Sequence, residues 1–222
     1  MILEVKELNK QFKRFGSDFH AVRNVNLYAE EGDFIGITGR SGSGKSTLFH
    51  MISGLLKPTS GSIFIDNVNI VDRKQKELSL IRSEKIGYIM QGQNLLFNFN
   101  IIDNVCMPCY ITNGIKDIRR KGMELLKLVG LEERSEEFPS GLSGGELQRI
   151  AIARALILSP SIIIADEPTA NLDPDNSLWI IQLLKQVTQT GTAVIVSTHS
   201  LELLRYFNKL YTMNAGQLTD NV

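Results

Sequence analysis

Cysteine is nearly absent from this chain of 222 residues: only Cys106 and Cys109 occur, as a Cys-x-x-Cys pair. Such a pair can form a redox couple or supply half of a zinc site. A closed zinc site needs further Cys or His ligands, and the three histidines of the chain provide no second pair nearby. We therefore expect both thiols to pack against apolar side chains rather than bind a metal.

An excess of one charge is absent as well. Lysine and arginine total 24, aspartate and glutamate total 24, and the formal net charge is zero. Because no global field results, the composition does not favour binding to nucleic acid or to an anionic membrane surface, and any partner must be recognised locally. Hydrophobic residues make up 43% and charged residues 22%, which excludes a disordered or fibrous chain.

Long apolar runs are also missing. The longest stretch without a charged side chain, residues 86–102, contains two glutamines and three asparagines, which a lipid-spanning helix would not tolerate. Glu4 stands close to the first residue, and no basic segment precedes an apolar core, so the sequence predicts no signal peptide. We expect no direct membrane insertion and a cytoplasmic location.

Two kinds of strand pattern are present. Residues 33–38, 161–165 and 192–197 are continuous apolar runs, typical of strands buried on both faces of a parallel sheet. Residues 2–8 and 25–29 instead alternate apolar and polar side chains. This alternation indicates a layer of half-buried antiparallel strands beside a mainly parallel sheet.

Helical patterns lie between the apolar runs and predict an α/β fold. The three clearest span 118–129, 146–158 and 178–187. The segment 92–158 is mostly helix-like, which predicts a helical lobe inserted between two core strands. The length fits one domain, here 1–222, with a core of about 1–91 and 159–222.

One glycine-rich stretch, Gly39-Arg-Ser-Gly-Ser-Gly-Lys-Ser46, fits the phosphate-binding loop pattern and lies between a predicted strand and a predicted helix. Its glycines let backbone N–H groups turn toward phosphate oxygens at the helix N-terminus. Lys45 would supply a point charge for the outer phosphates and Ser46 a ligand for Mg²⁺. Thr47 stands where a dinucleotide-binding loop needs its third glycine, so that alternative fails. The candidate nucleotide contacts are Gly39, Arg40, Ser41, Gly42, Ser43, Gly44, Lys45, Ser46 and Thr47.

Polar side chains follow two of these apolar runs and a further apolar segment, residues 86–90, at the sheet edge where open α/β folds bind ligands. Asp166 is expected to hold Mg²⁺, usually through water, and Glu167 to act as general base on an attacking water. His199 is expected to contact phosphate, and Gln91 to reach Mg²⁺ or the attacking water. The alternative is a structural role for each: a solvated acidic pair, a packed histidine and a surface glutamine.

A second anion site is predicted at residues 142–149. Ser143 and Glu146 form the Ser-x-x-Glu of a capping box, and Gly144 and Gly145 leave the helix N-terminus uncovered. One phosphate-binding loop already holds the phosphates of one nucleotide, so the second site suggests a second subunit. A well-capped helix without a ligand is the other interpretation.

Together, these motifs resemble those of the ATP-binding subunits of ABC transporters. The resemblance rests on the phosphate-binding loop, Gln91, Leu142–Glu146, Ile162–Glu167, Ala170–Asp173 and His199. It implies an ATPase that uses ATP and Mg²⁺, built on a P-loop NTPase core. It also implies a head-to-tail homodimer on ATP, in which Ser143, Gly144 and Gly145 of one protomer cap the γ-phosphate bound at Lys45 of the other.

The resemblance carries two finer expectations. Phe12 matches the aromatic residue that stacks on adenine, with Phe15 and Phe19 as alternatives. Residues 81–82 and 138–146 are similar to those of the lipoprotein-release, macrolide-exporter and cell-division ATPases. That group implies a separate transmembrane permease subunit docked in a groove lined by residues 91–102, export or extraction of a lipoprotein, peptide or drug, and a position at the inner face of the cell membrane.

Other functions fit part of the pattern. A soluble ABC-type ATPase acting on nucleic acid or ribosomes usually needs coiled-coil insertions or tandem cassettes, and the zero net charge also argues against it. A small-molecule kinase would account for Lys45 and Asp166 but not for residues 142–146. A regulatory ATPase of a cell-division complex, which relays mechanical movement rather than transporting a substrate, stays open.

Overall fold

The computed structural model describes residues 1–14, 17–92, 94–112 and 117–221, which form two sheets and six α-helices. The strands are β1 (Leu3–Arg14), β2 (Ser17–Ala29), β3 (Phe34–Thr38), β4 (Ser60–Ile65), β5 (Val68–Asn69), β6 (Ile86–Ile89), β7 (Ile162–Ala165), β8 (Ala193–Ser197), β9 (Lys209–Asn214) and β10 (Gln217–Asp220). The helices are α1 (Lys45–Ile52), α2 (Gln75–Lys85), α3 (Ile101–Thr112), α4 (Ile118–Leu128), α5 (Gly144–Leu156) and α6 (Pro174–Thr188).

The larger sheet is mainly parallel, in the order β10-β9-β3-β8-β7-β6. Strands β6, β7, β8, β3 and β9 run parallel, and β10 joins antiparallel to β9. Every residue of β7 and β8 is buried, because one face of the sheet packs against helices α3 to α6 and the other against α1 and strands β1, β2 and β4. The parallel sheet predicted from the continuous apolar runs is therefore confirmed.

The smaller sheet is antiparallel, in the order β2-β1-β4-β5. It confirms the predicted N-terminal layer, but β1 and β2 are much longer than the alternating segments that marked them. The β1–β2 register shifts at three places between Val5 and Gln11. Glu7 and Asn24 have φ values of +47° and +46° at these irregularities. Bulges of this kind break the two-residue period, so the pattern was lost although pairing continues.

Helices α3, α4 and α5 occupy the chain between β6 and β7 and pack on one another. This agrees with the predicted helical character of the segment between those strands. Their apolar side chains belong to one buried cluster that continues through Phe34 and Val194 of the sheet and Ile181 of α6. Because the apolar contacts continue into the sheet, the division into a core and a lobe at residues 92–158 stays a prediction.

The parallel strands bring the predicted polar residues to one edge. The phosphate-binding loop follows β3, Gln91 lies just beyond β6, Asp166 and Glu167 follow β7, and His199 lies just beyond β8. Since β3, β8, β7 and β6 are neighbours in that order, their carboxyl ends meet at the same edge of the sheet. The fold thus assembles these segments into one site.

Candidate active site

The phosphate-binding loop connects β3 to α1 in a conformation that requires glycine at two positions. Gly39 and Gly44 have φ values of +148° and +111°, which side-chain-bearing residues rarely adopt. A Cβ at Gly39 would collide with the Met213 carbonyl oxygen, and one at Gly44 with the Ala21 carbonyl oxygen. Strands β9 and β2 therefore hold the loop in place, and only glycine fits between them.

Lys45 begins α1 and is 5% exposed. Its ammonium donates to the carbonyl oxygens of Gly39 at 2.7 Å and Arg40 at 3.3 Å, and lies 3.9 Å from Glu167 Oε1. Burial lowers the pKa of Lys45, while the carboxylates of Glu167 and Asp166 act in the opposite direction. A buried cation held mainly by carbonyl groups is well placed to accept an anionic ligand.

A cavity of about 560 Å³ opens beside the loop. Its lining residues are Phe19, Ala21, Ser41, Gly42, Ser43, Gly44, Lys45, Ser46, Thr47, Gln91, Glu167 and His199. The structure thus brings together most of the predicted loop residues with three predicted catalytic side chains. Asp166 lies directly before Glu167 in the chain and is 4% exposed.

Glu167 is the centre of a polar cluster at this cavity. Its Oε1 lies 2.5 Å from His199 Nε2, and its Oε2 accepts a hydrogen bond from Gln91 Nε2 at 3.1 Å. His199 Nε2 also lies 3.4 Å from Lys45 Nζ. A carboxylate held by neighbours from three other chain segments has the fixed orientation that proton abstraction from a water requires.

The residues present fit a magnesium site. Mg²⁺ prefers oxygen ligands and usually keeps several waters. Ser46 supplies a hydroxyl and Gln91 an amide oxygen at the cavity, and Asp166 adds a carboxylate at the end of β7. Within the described ranges, no group of three or more His, Cys, Asp or Glu side chains could hold a metal ion.

The predicted second anion site is a capped helix N-terminus. Ser143 is the N-cap of α5, its hydroxyl accepts from the Glu146 backbone N–H, and the Glu146 side chain accepts from the Ser143 backbone N–H. The predicted capping box is therefore confirmed. Ser143, Gly144 and Gly145 do not line the cavity at Lys45. A Cβ at Gly145 would lie 2.7 Å from Asn176 Oδ1 of α6, so this glycine also permits close helix packing.

Among the candidate adenine platforms, Phe12 and Phe19 are directly opposite each other on β1 and β2. Phe19 lines the cavity, whereas Phe12 is absent from its lining. Phe15, the third candidate, lies outside the described residues, as does Gln93 of the predicted groove. The geometry thus favours Phe19 over Phe12, and which ring stacks on the base stays a prediction.

The two cysteines are buried and free in α3. Burial raises the pKa of the Cys106 thiol to about 11 and also raises that of Cys109. Both thiols therefore stay protonated at neutral pH, which removes the reactive form. Both belong to the buried apolar cluster, as the sequence analysis predicted.

A model of the ABC transporter family matches residues 22–170. The chain belongs to the ABC transporter family. This ABC protein is 40% identical to the lipoprotein-releasing system ATP-binding protein LolD of Buchnera aphidicola subsp. Schizaphis graminum, a match that covers 100% of this chain and 97% of that relative. It is 42% identical to the methionine import ATP-binding protein MetN of Helicobacter hepaticus, over 96% of this chain and 62% of that relative.

The fold is also that of a solved ABC cassette. The dimeric ATP-binding cassette MJ0796, in a post-hydrolysis state bound to ADP and Pi, superposes with a TM-score of 0.92 at 37% identity, covering 99% of this chain and 98% of that chain.

The ABC protein described here is an ATP-binding and ATP-hydrolysing transporter subunit that uses Mg²⁺ and acts with a separate membrane permease. Among its described residues, no helix is long and apolar enough to cross a membrane.

The contacts of two residues were not predicted from the sequence: Ser197, beside the acidic pair, and Asn176, beside the N-terminus of α5. Ser197 ends β8, and its hydroxyl contacts both Asp166 and the Glu167 backbone. Asn176 contacts Asp173 and lies against Gly145. Neither belongs to a recognisable motif. A serine at the end of an otherwise apolar strand was the one signal that could have drawn attention to Ser197.

Proposed function

We propose that two copies of this chain close head-to-tail around ATP, that each site is completed by Ser143, Gly144 and Gly145 of the other copy, and that closure moves a membrane permease. One observation carries the proposal. The N-terminus of α5, where Ser143 is exposed, Gly144 half-buried and Gly145 buried, presents an anion site that does not line the cavity at Lys45 of the same chain. A second copy gives that site a phosphate to bind.

Within the cavity, the described contacts support distinct roles. Lys45 binds the outer phosphates from its buried position in the loop. Ser46, Asp166 and Gln91 would hold Mg²⁺, which when bound neutralises charge on the phosphate oxygens. Glu167 Oε1 or Oε2 takes the proton of the attacking water, and His199, at 2.5 Å from Oε1, orients that carboxylate and contacts the γ-phosphate.

The groove predicted at residues 91–102 carries the proposed link to the permease. Large apolar side chains on either side of Gln91 are exposed here: Met90, Leu96, Phe97 and Phe99 are 43–53% exposed. Apolar surface of this kind marks protein–protein contacts. Because Gln91 also donates to Glu167, movement of this segment by a docked permease would alter the orientation of the proposed base.

We further propose that the transported substrate is a lipoprotein and that the protein is cytoplasmic, at the inner face of the cell membrane. Support comes from the match to a lipoprotein-releasing ATP-binding protein over nearly the full length of that relative. The methionine-import relative is equally similar in identity but over a smaller share of its length. Substrate choice therefore needs a direct test.

The test uses the chain together with the membrane protein that co-purifies with it, reconstituted in lipid vesicles carrying either a triacylated lipoprotein or methionine. ATP with Mg²⁺ should release lipoprotein from the vesicles, and methionine should not cross. Glu167→Gln, which binds ATP but lacks the base, should lower both hydrolysis and release by roughly 10²-fold or more. ATP hydrolysis coupled to methionine movement would replace the lipoprotein assignment. Hydrolysis that moves neither substrate would support a regulatory role.

A further inference from the structure

Ser197 is the last residue of β8 and is 0% exposed, in a strand whose other four residues are Ala, Val, Ile and Val. A hydroxyl group buried among apolar side chains costs free energy unless its hydrogen-bonding capacity is used. In this protein the capacity is used at the proposed catalytic centre. Ser197 lies beside the carboxyl end of β7, which pairs with β8 through Ala165 and Val196.

The hydroxyl makes two hydrogen bonds, one to each acidic residue. It donates to Asp166 Oδ1 at 2.7 Å and accepts from the Glu167 backbone N–H at 2.8 Å. A backbone N–H can only donate, so the hydroxyl must be the acceptor in the second bond. Its single hydrogen is then available for Asp166 alone. The direction of both bonds is therefore fixed.

Glu167 has a backbone conformation that needs such support. Its φ of +48° lies in the left-handed region, which is uncommon for a residue with a side chain. Conformations of this kind persist where the surroundings hold them. The hydrogen bond from the Glu167 N–H to Ser197 fixes the orientation of the peptide group between Asp166 and Glu167. That orientation determines the direction in which the Glu167 side chain points from its Cα.

Asp166 depends on the same hydroxyl. Among the residues that the structure describes, the side chain that donates a hydrogen bond to the Asp166 carboxylate is that of Ser197. One carboxylate oxygen is thereby occupied by a fixed neutral donor. The orientation of the whole group, including the oxygen available to a bound metal or its water, follows from that bond.

We propose that Ser197 is a positioning residue that orients the Asp166 carboxylate and the Glu167 backbone together, through one hydroxyl group. This inference rests on the proposed function, because it assumes that Asp166 serves Mg²⁺ and that Glu167 is the base. Ser197 itself is buried and does not line the cavity at Lys45. Its removal should therefore impair hydrolysis and Mg²⁺ use while leaving ATP binding at Lys45 largely intact.

The sharpest comparison is between Ser197→Thr and Ser197→Val. The two side chains have nearly the same volume and shape, and they differ in the hydroxyl alone. Steady-state hydrolysis by the full chain is measured as kcat, KM for ATP, and the Mg²⁺ concentration that gives half-maximal rate. Ser197→Ala is measured beside them, because it adds no atom to the core and should fold even if the larger residues overpack it.

Loss of a buried hydrogen bond to a charged group changes an equilibrium or rate constant that depends on it by roughly tenfold to hundredfold. Ser197→Val and Ser197→Ala should lower kcat by about that factor and raise the half-maximal Mg²⁺ concentration, with KM for ATP changed by less than about threefold. Ser197→Thr should restore most of kcat and the Mg²⁺ dependence relative to Ser197→Val. A purely structural role would shift urea unfolding without moving the Mg²⁺ dependence.

Ser161→Ala is the matched control. Ser161 stands at the other end of β7, and its hydroxyl also donates to a carboxylate at 2.7 Å, that of Asp66. Its loss removes a similar bond at the opposite edge of the sheet from the cavity. We expect Ser161→Ala to leave kcat and the Mg²⁺ dependence close to those of the unaltered protein, whatever its effect on unfolding.

Asp166→Asn and Glu167→Gln separate this inference from the proposed function. If Asp166→Asn does not change the Mg²⁺ dependence, or Glu167→Gln does not lower kcat, the proposed roles of the two acids are wrong. If both behave as proposed while Ser197→Ala matches Ser161→Ala, only the Ser197 inference is wrong. Equal kcat for Ser197→Thr and Ser197→Val would also overturn it, because the hydroxyl would then be irrelevant.

Discussion

The rings of Phe12 and Phe19 project from the same face of the β1–β2 pair, since the two residues are direct partners in an antiparallel register. Only Phe19 lines the cavity at the phosphate-binding loop. Lys10 Nζ lies 5.1 Å from the centre of the Phe12 ring, so that ring already has a cationic neighbour. The cavity lining therefore favours Phe19 over Phe12, the residue that the family resemblance marks, and the identity of the stacking ring stays a prediction.

Replacing each ring tests that assignment. Phe19→Ala should weaken ATP binding by roughly fivefold to a hundredfold, because base stacking contributes about 1–3 kcal/mol. It should change binding of inorganic triphosphate little, since that ligand has no base. Phe12→Ala is the matched control, with a smaller effect expected on ATP; calorimetric titration measures all four combinations. A larger loss in Phe12→Ala would return the platform to Phe12, and equal losses for ATP and triphosphate would place it elsewhere.

The single residues that could be predicted from sequence are those at fixed spacing in a motif, such as Lys45 and Asp166. Such residues can be located because a phosphate-binding loop requires glycines at fixed positions and because ligand-binding side chains follow the ends of parallel strands. Ser197 and Asn176 act through contacts between segments far apart in the chain, at 31 residues in the case of Ser197 and Asp166. Such pairs depend on strand order and side-chain packing, which a single sequence does not contain.

At the level of elements, α3 and α4 approach each other closely because Gly122 has no side chain. A Cβ at this position would lie 2.6 Å from Cys106 Sγ and 2.7 Å from Ile102 Cδ1. Glycine inside a helix is normally a weakness, by about 1 kcal/mol relative to alanine. Here close packing outweighs that preference, and it gives the buried Cys106 a role that needs no metal or redox chemistry.

Gly122→Ala should therefore lower the free energy of unfolding by about 1–3 kcal/mol, the usual cost of overpacking, although alanine favours the helix. Removing the sulfur makes room, so Gly122→Ala combined with Cys106→Ala should cost less than the sum of the two single changes. Urea unfolding followed by circular dichroism gives all three values. Strict additivity of the two costs would show that the methyl group and the sulfur do not compete for the same space.

Strands buried on both faces were the elements that the sequence predicted best: β3, β7 and β8 each begin within one residue of the predicted runs. Helix α2 was missed because none of its residues is fully buried, and only Leu78 and Ile81 pack against the core, which is a short apolar face to detect. Strands β9 and β10 were also missed. They are short, and nearly all of their residues are only partly buried or exposed.

For the whole molecule, the position of α5 decides how the site can be completed. Its N-terminus is ordered by the Ser143–Glu146 capping box, and Arg134 Nη1 donates to Glu146 Oε1 at 2.6 Å. The hydrogen bonds that Glu146 accepts from Ser143 are the main cause of its lowered pKa, and Arg134 lowers that pKa further. The capping box and Arg134 thus hold this terminus in a defined arrangement, which suits the proposed contact with a phosphate bound by another copy.

The dimer itself is tested by combining a substitution at the base with one at this terminus. Glu167→Gln keeps the shape of the site but cannot take the water's proton, so ATP should stay uncleaved and an ATP-bound dimer should accumulate. Adding Ser143→Asp keeps an effective N-cap while placing a negative charge against the γ-phosphate of the other protomer. That double variant should remain monomeric in size-exclusion chromatography with light scattering, yet bind ATP at Lys45 as before.

Ser143→Asn in the same Glu167→Gln background is the matched control for this last prediction. Asparagine has the shape of aspartate and caps helices equally well, but it is neutral. The dimer should therefore persist with asparagine and disappear with aspartate, and Ser143→Arg, which covers the terminus with a large side chain, should also abolish it. A dimer that survives Ser143→Asp would mean that this terminus does not face phosphate. A Glu167→Gln protein that stays monomeric with ATP and Mg²⁺, both alone and with its membrane partner, would contradict the shared site, because uncleaved ATP would then not hold two copies together.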